Sequence, residues 1–402
     1  MKYIILVPDG MADYPLRQLS WKTPLMAARA PTIKSLGKDG RMGTFRSLPK
    51  GTQAGSDVAN MSIMGYDPAT QLTGRGALES AAMGIKLADD EIAFRCNLIT
   101  TDGSLIRDYS AGYIPTEESR QLLGALKAEF DDDIATFHAG NSFRNILVLG
   151  GEKVTDRVRT TPPHDIVGQD FGPYLPRALD ESARVVQNLL RDLMERTRSF
   201  LEEHPLNRDR KERGENPGNM IWPWSPGYRL DIRPFSEIWG MDGAAVSAVD
   251  TVKGLAKSAG MEAPDVPGAT GFTDTDYEAK AGAALDLLRG VDLVYVHVEA
   301  IDEMGHSGDV GGKIGAIEDF DSRLASNLVA GLESRGLDYT LAVIPDHYTP
   351  CTVRTHVRDP TPFVIAGHGP GRDGTEYDEE NAKMGSLGLL EGDAFIKMLV
   401  RS

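Results

Sequence analysis

Four short apolar runs, each followed by a turn or a charged residue, constrain the fold of this chain more than any other feature. They are YIILV at 3–7, DLVYVHV at 292–298, YTLAVI at 339–344 and PFVIAG at 362–367. The first is followed by P-D-G, the second by Glu299, the third by P-D-H and the fourth by H-G-P-G. Continuous apolar runs of this length are typical of parallel strands that are buried on both faces. We therefore expect the four segments in one parallel sheet.

Helical patterns lie between these runs. In IGAIEDFDSRLASNLVAGL the apolar residues recur at three- and four-residue spacing, and DYEAKAGAALDLLRG predicts a further helix that ends at Gly290. An order of strand, helix and strand is typical of a parallel α/β sheet. The predicted fold class is therefore α/β.

Residues 85–235 follow a different pattern. Two alternating strands, IAFRCNLIT and NILVLGG, accompany a long amphipathic helix around RALDESARVVQNLLRDLMERTRSFLEE. The polar stretch HPLNRDRKERGENPGN then indicates a loop. We expect a discontinuous core of residues 1–75 and 240–402, interrupted by a cap of residues 85–235. A cleft would separate the two, with hinges near residues 73–76 and 239–243.

Composition narrows the class of partner. The 402 residues suit two domains at roughly 100–200 residues each. A net charge of −16 argues against nucleic acid and against an anionic membrane, but a small anionic substrate is compatible with local cations. The two cysteines, Cys96 and Cys351, suit a reducing compartment without a disulfide. The N-terminal apolar run is too short for a signal peptide or a membrane span, so we expect a cytoplasmic enzyme whose oligomeric state is left open.

Carboxylates and imidazoles follow the apolar runs. Six such side chains lie at or just beyond the predicted strand ends: Asp9, Asp302, His306, Asp346, His347 and His356. Alone, each one is usually a turn residue or a hydrogen-bonded scaffold residue, but ligands of open α/β sheets gather outside the carboxyl ends of the strands. Asp302 and His306 are four residues apart, in what we expect to be a turn. Mixed Asp and His ligands suit borderline divalent ions, and six ligands fit two metals of the kind that clamp a phosphoryl group.

Ser56 is the candidate nucleophile. It follows Gly55 in TQAGSDVANMSIMG and precedes a helical pattern, so the structural interpretation is a helix N-cap. The functional interpretation uses the same position, because a helix N-terminus favours a bound phosphate and a neighbouring metal favours the alkoxide.

Ordered motifs from end to end resemble those of one family. They are PDGMAD, TPLMAARAPTI, AGSDVANMSIMGYDP, TGRGALESAAMGI, RCNLIT, PPHDIVG, NPGNMI, VDTVKGLAKSAGM, PGATGFTDTDYEAKA, DEMGH, PDH and TPF. With these motifs the chain resembles the archaeal-type cofactor-independent phosphoglycerate mutases of the alkaline phosphatase superfamily. The resemblance implies an alkaline-phosphatase-like parallel-sheet core with an inserted α+β cap.

The resemblance also implies roles for individual residues. One metal would be bound by Asp302, His306 and His356, and the second by Asp9, Ser56, Asp346 and His347. Ser56 would take the phosphate of 3-phosphoglycerate and return it to the 2-hydroxyl of the bound glycerate. Family members use two manganese ions, sometimes magnesium, cobalt or zinc, and no 2,3-bisphosphoglycerate. Lys253 matches a lysine near the transferred phosphate.

Cations that could hold the substrate are Arg75, Arg107 and Arg144, together with Lys253, because guanidinium groups bind phosphate and carboxylate in two-pronged fashion. Three features depart from the usual family pattern: Asn60, the segment MIWPWSP, and Glu299. These departures resemble a bacterial subgroup that has been proposed to phosphorylate homoserine. A homoserine kinase-type phosphotransferase is therefore the first alternative, although the chain has no Walker A loop for a nucleotide.

Two further alternatives remain open at this point. A metallophosphatase or phosphonate hydrolase would use the same metal ligands with an open cap. A non-catalytic binding protein would retain the fold without turnover, but the intact ligand set and Ser56 argue against it.

Overall fold

The computed structural model describes residues 1–367 and 371–400, so the turn expected at residues 368–370 lies outside the described residues. The strands in chain order are β1 Lys2–Pro8, β2 Arg41–Phe45, β3 Glu91–Asp102, β4 Leu105–Asp108, β5 Ala135–Asn141, β6 Arg144–Gly150, β7 Val158–Arg159, β8 Arg177–Ala178, β9 Met220–Tyr228, β10 Gly243–Val246, β11 Leu293–Val298, β12 Tyr339–Val343, β13 Thr361–Gly367 and β14 Gly388–Leu390.

The helices occupy most of the remaining regular structure. In chain order they are α1 Pro24–Ala27, α2 Pro31–Asp39, α3 Ser56–Ile63, α4 Pro68–Gln71, α5 Arg75–Ala82, α6 Thr116–Phe130, α7 Arg184–Glu203, α8 Pro205–Glu212, α9 Phe235–Trp239, α10 Asp250–Ser258, α11 Tyr277–Leu287, α12 Ala300–Ser307, α13 Val310–Asp319, α14 Ser326–Ser334, α15 Glu379–Lys383 and α16 Ala394–Val400. A π-helical segment, Phe320–Ala325, joins α13 to α14, so the expected long helix after residue 310 is present.

The chain divides into two compact units. The first contains Met1–Leu72 and the described part of Asp231–Ser402, and the second contains Thr73–Leu230. Each has its own cluster of buried apolar side chains. The second unit begins earlier than residue 85 because α5 packs on β3 and β9.

A seven-stranded sheet organises the described residues of the first unit, in the order β10-β11-β1-β12-β13-β2-β14. β10, β11, β1 and β12 pair in parallel. The side chains of β11 are buried along its whole length, as a strand covered on both faces requires. The prediction of an α/β core with a largely parallel sheet is confirmed.

One strand runs against the expected direction. PFVIAG forms β13, which is antiparallel to β12 and to β2. A buried apolar run indicates coverage on both faces but not direction. A parallel neighbour would need a crossover, usually through a helix, whereas no helix lies between β12 and β13 in this fully described stretch. As a result the whole connection stays at the carboxyl end of β12.

In the second unit β3 pairs antiparallel with β4, β6 and β9, and β6 pairs antiparallel with β5. The two strands and the long helix expected here are present as β3, β6 and α7. The segment MIWPWSP, for which the sequence suggested no element, lies in β9. Its prolines are tolerated because β9 pairs only with β3 among the described strands, and edge strands accept proline.

The loop expected for HPLNRDRKERGENPGN is wrong in its first half, which forms α8. Pro205 occupies the first turn, where proline is favoured, and the His204 side chain accepts a hydrogen bond from the backbone N–H of Leu206. The inward face is polar, since Asn207 and Arg210 are buried. A search for apolar periodicity therefore misses this helix. No helix among the described residues is long and apolar enough to cross a lipid bilayer.

Candidate active site

The predicted ligands of the first unit meet at one edge of its sheet. β11, β1 and β12 are neighbours and parallel, so their carboxyl ends lie side by side. Asp9 follows β1, α12 follows β11, and both Asp346 and His347 follow β12. His356 reaches the same edge because the connection between β12 and β13 does not cross the sheet.

The turn expected around Asp302 and His306 is a helix, α12. Residues four apart lie on one face of a helix, and Asp302 Oδ2 is 3.1 Å from His306 Nε2. α12 ends at Gly308, whose φ of +74° is in the left-handed region that glycine adopts without strain. The pair is therefore held by regular secondary structure.

His356 completes the first group of ligands. His306 Nε2 and His356 Nε2 are 2.9 Å apart, and His356 Nε2 is 3.7 Å from Asp302 Oδ1. The Nδ1 atom of each ring faces a backbone carbonyl, that of Arg354 for His306 and that of Ala54 for His356. If each Nδ1 carries a proton, the two Nε2 atoms face each other with lone pairs unless a proton or a metal ion lies between them.

The contacts within this group shift the pKa values of Asp302 and His306. Burial alone would raise the pKa of Asp302, but hydrogen bonds with His306 and His356 outweigh it and lower that pKa well below its usual range. The same hydrogen bond with Asp302 raises the pKa of His306 to about 9. Asp302 is therefore an anion that is stabilised by whatever positive charge the imidazoles or a metal supply.

A second group surrounds Ser56. His347 Nε2 lies 3.1 Å from Ser56 Oγ, 3.5 Å from Asp9 Oδ1 and 3.5 Å from Asp346 Oδ2. Ser56 is the first residue of α3 rather than its N-cap, which is Gly55. The Ser56 hydroxyl is thus directed at the cluster instead of capping the helix.

Thr349 fixes the orientation of His347. Its hydroxyl donates to Asp302 Oδ1, so its oxygen can accept a hydrogen bond from His347 Nδ1 at 3.1 Å. That tautomer leaves His347 Nε2 with a lone pair facing Ser56. Burial lowers the pKa of His347, which favours the neutral ring.

Asp9 lies in the least compensated position of the cluster. Its Oδ1 has no hydrogen-bond partner among the described residues, although it is fully buried. Burial, and then the neighbouring charges of Asp346, Asp302 and Glu299, raise the pKa of Asp9 well above its usual range. Such an orphaned carboxylate oxygen is accounted for if a cation is bound there.

Sequence reasoning missed His297, which lies inside β11. His297 Nε2 is 3.1 Å from Asp9 Oδ2, and its Nδ1 is 3.4 Å from the hydroxyl of Ser247. Burial lowers the pKa of His297 to about 4, so the ring is neutral. Its Nε2 makes no hydrogen bond among the described residues, so this nitrogen is available as a ligand beside Asp9. The only available signal was one histidine within an otherwise apolar strand.

Both groups fit divalent metal ions. Ligand atoms that bind one tetrahedral ion at about 2.0–2.2 Å lie roughly 3.3–3.6 Å from each other. The distances of 3.1–3.5 Å from His347 Nε2 to its neighbours are close to this spacing. Two triads, Asp302 with His347 and His356, and Asp9 with His297 and Asp346, bring ligand atoms within 4.8 Å. His347 Nε2 also lies close to Ser56 Oγ and Asp9 Oδ1, so this ring is within reach of both groups.

Gly10 allows the strand ends to approach this closely. It follows Asp9 with a φ of +62°, and a Cβ placed there would lie 2.3 Å from Asp302 Oδ1. Its backbone N–H donates to Asp346 Oδ1 at 3.1 Å. Any side chain at this position would therefore displace Asp302.

The second unit contains a separate cluster of cations and aromatic rings. The Arg95 guanidinium stacks 4.0 Å above the ring of Trp224 and donates to Glu79 at 3.0 Å. Burial lowers the pKa of Arg95, and the like charges of Arg75 and Arg144 lower it further. The structure therefore brings two of the predicted substrate cations, Arg75 and Arg144, near a third that the sequence did not single out.

Arg107 and Lys253 have other partners. Arg107 donates to Asp102 Oδ2 from Nη2 at 2.8 Å, and both side chains are largely exposed. Lys253 lies in α10, where its ammonium group pairs with Asp265. α10 packs against α3, the helix that begins at Ser56.

Comparisons with known proteins identify the family of this chain. The family model described as 2,3-bisphosphoglycerate-independent phosphoglycerate mutase matches residues 37–207. A protein of that name from Methanosarcina acetivorans is 46% identical, with all of both chains covered. A solved structure from Pyrococcus horikoshii has a TM-score of 0.83 at 28% identity, covering 100% of this chain and 97% of that one.

The solved cofactor-independent phosphoglycerate mutase from Thermoplasma acidophilum has a TM-score of 0.70 at 28% identity. The two chains cover each other over 100% and 99% of their lengths. The 46% identity over the full length of both chains shows the family. The fold and the ligand cluster at the strand ends are described above. The chain belongs to the 2,3-bisphosphoglycerate-independent phosphoglycerate mutase family.

Proposed function

We propose that this chain interconverts 3-phosphoglycerate and 2-phosphoglycerate through a phosphorylated Ser56 and two divalent metal ions, with manganese as the first choice. One observation carries the proposal. Ser56 Oγ lies 3.1 Å from His347 Nε2, at the start of a helix and within a cluster of carboxylates and imidazoles. Asp302, His306 and His356 would hold one ion, and Asp9, Ser56, Asp346 and His347 would hold the other. Family membership supports the choice of substrate.

The transfer has two symmetrical halves. Ser56 Oγ forms a bond to phosphorus while the bond from phosphorus to the 3-oxygen of the substrate breaks, and the hydroxyl proton of Ser56 passes to that oxygen, giving phosphoserine and glycerate. The 2-hydroxyl of glycerate then attacks phosphoserine, the bond from phosphorus to Ser56 Oγ breaks, and the 2-hydroxyl proton passes to Ser56 Oγ. When bound, the metal ions would neutralise the phosphoryl oxygens and lower the pKa of the Ser56 hydroxyl.

The residues of this chain position the reacting atoms. Helix α3 begins at Ser56, and a helix N-terminus favours a bound phosphoryl group. Thr349 fixes the ring of His347, and the backbone N–H of Gly10 donates to Asp346. These contacts keep the ligands in place before substrate binds, which is what electrostatic preorganisation requires.

In this proposal Arg75 and Arg144 bind the substrate carboxylate, and Arg95 supports them. Guanidinium groups bind carboxylates through paired N–H donors. Lys253 remains a candidate for contact with the phosphate.

Phosphoserine must also be protected from water, since its hydrolysis would make the protein a phosphatase. We give that role to the second unit, as the expected cap.

Three parallel reactions test the proposal. Manganese-loaded protein is given 3-phosphoglycerate, homoserine with ATP, or an aryl phosphate, and the products are identified by phosphorus NMR. We expect 2-phosphoglycerate from the first reaction and little product from the others. Formation of homoserine phosphate would contradict the mutase proposal in favour of the kinase alternative. Release of inorganic phosphate as the main product would favour a metallophosphatase.

A further inference from the structure

Asn60 is a fully buried amide one helical turn after Ser56. Its Nδ2 donates to the backbone carbonyl of Ser56 at 2.7 Å and to Asp346 Oδ2 at 2.9 Å. Both partners are acceptors only, so the nitrogen must face them and Oδ1 must face away. Oδ1 accepts a hydrogen bond from the hydroxyl of Tyr295, which is buried in β11.

Asp346 receives donors from three directions. Its Oδ1 accepts from the backbone N–H groups of Gly10 at 3.1 Å and His347 at 2.9 Å. Its Oδ2, the oxygen that faces His347 Nε2 at 3.5 Å, accepts from Asn60. The backbone donors would hold one oxygen alone, and the carboxylate could still turn about that attachment. Asn60 thus determines where Oδ2 points.

We propose that Asn60, anchored by Tyr295, is a positioning residue that couples the placement of Asp346 to the placement of Ser56. A single amide group joins the metal-facing oxygen of one residue to the peptide group of the other. An amide does not titrate, so this link donates to the carboxylate at every pH without neutralising its charge. The part of the proposal that concerns Ser56 rests on the proposed function, whereas the part that concerns Asp346 does not.

Replacing Asn60 with leucine keeps a similar size and removes the donors and the acceptor. Loss of a residue that orients a metal ligand typically weakens metal binding or activity about 10- to 100-fold. We expect Asn60→Leu to bind two manganese ions with one of them weakened by about this factor. In activity assays kcat should fall more than KM rises, and part of kcat should return at high manganese concentration.

Tyr295→Phe tests the anchor separately. It leaves both donor contacts of Asn60 in place and removes only the hydroxyl that fixes the amide. We expect a smaller loss of manganese affinity, on the order of threefold to tenfold, at the low end of such effects. Tyr277→Phe is the matched control, because Tyr277 is a buried tyrosine of the same unit whose hydroxyl has no hydrogen-bond partner among the described residues.

Isothermal titration of manganese into the metal-free full-length proteins is the measurement, with thermal unfolding as the check on folding. The expected order of affinity for the weaker ion is wild type equal to Tyr277→Phe, then Tyr295→Phe, then Asn60→Leu. Wild-type affinity in a folded Asn60→Leu protein would overturn the proposal. If Asn60→Leu does not fold, Tyr295→Phe decides: affinity equal to that of Tyr277→Phe overturns the proposal, and weaker affinity supports it.

Failure of the proposed function would be visible separately. If wild-type protein forms no phosphate adduct on Ser56, the transfer mechanism fails, while the order of manganese affinities still stands or falls on the contacts of Asn60. If the adduct forms and the affinities do not differ, the coupling through Asn60 is wrong and the transfer mechanism is unaffected.

Discussion

In the first unit, carboxylates and imidazoles gather where three parallel strands end, whereas in the second unit guanidinium groups and an indole share one face of an antiparallel sheet. The parallel arrangement brings the residue after each strand to a common edge. The antiparallel arrangement brings together residues two apart along a strand and their cross-strand partners. The carboxylates and imidazoles therefore lie at strand ends in the first unit, whereas the guanidinium groups of the second unit lie mostly within strands.

The register of the second unit shows how its cluster arises. Asn97 of β3 lies opposite Arg144 of β6, and Arg95 lies two residues before Asn97 and opposite Trp224 of β9. Phe94 and Cys96 point to the other face, where they join the apolar core. Alternation thus places Arg95 on the face that carries Arg144.

The two units also differ in the sign of the charges that they bring together. The first unit gathers anions that require cations, and the second gathers cations suited to an anionic substrate. A net charge of −16 for the whole chain conceals this division. The comparison can be tested by perturbing each cluster and asking which step of the reaction responds.

The largest effect is expected from Asp302→Asn in the first unit. The substitution removes the charge that holds two imidazoles, so one metal site should be lost and kcat should fall by about 10³-fold or more. Metal analysis of the purified protein should show one bound ion where wild type shows two. Two bound ions with ordinary turnover would break the assignment of this cluster to catalysis.

A smaller effect is expected from Arg144→Met in the second unit. Hydrogen bonds to a charged partner contribute about 1.5–3 kcal/mol, which corresponds to roughly a 10- to 100-fold rise in KM for 3-phosphoglycerate. Manganese affinity should not change. Arg107→Met is the control, since both residues are exposed but Arg107 already pairs with Asp102. Steady-state kinetics of the two variants should differ, and equal KM values would remove the special role of the Arg95 cluster.

The smallest effect on the reaction, and a clear effect on stability, is expected at Glu379 of the first unit. Burial raises the pKa of Glu379 from 4.5 to about 7, while Thr23 donates to its carboxyl group at 2.7 Å. Between these values the unfolded chain has released the proton and the folded chain retains it. Stability should therefore fall as pH rises from about 5 to about 7, by on the order of 3 kcal/mol in full.

Glu379→Gln should remove this pH dependence. Urea unfolding at about pH 8 should show the variant to be more stable than wild type, with little difference at about pH 5 and unchanged kcat. Glu380→Gln, at the exposed neighbouring position, is the control. A variant that is less stable than wild type at the higher pH would mean that the ionised carboxylate makes a stabilising contact.

Much of the first cluster could be predicted because its geometry follows from topology. Asp9, Asp346 and His347 come directly after apolar runs, and adjacent parallel strands bring them together whatever the details of packing. His356 was predicted from its proximity in sequence. Its position depends on β13 running antiparallel, which a buried apolar run does not indicate.

The residues that sequence reasoning missed act through tertiary contacts. His297 and Tyr295 lie within an apolar strand, where they look like core residues, and Asn60 was noted only as a departure from the family pattern, with no role given to its side chain. To predict the position of Arg95, one needs both the alternation of β3 and the pairing of β3 with β9. The two prolines of β9 make that strand hard to recognise from the sequence. The roles of these residues depend on partners that are distant in sequence. A local sequence pattern does not indicate such roles.

The central claim is that Ser56 carries the phosphoryl group, and mass spectrometry of quenched protein tests it most directly. Manganese-loaded protein is mixed with 3-phosphoglycerate, quenched in acid and digested, and the peptide containing Ser56 is analysed. Ser62→Ala is the matched control, because Ser62 lies on the same helix with its hydroxyl bonded to the carbonyl of Val58 at 3.1 Å. The account predicts a phosphate adduct in wild type and in Ser62→Ala, and none in Ser56→Ala. Ordinary turnover by Ser56→Ala, or an adduct that persists in it, would contradict the account.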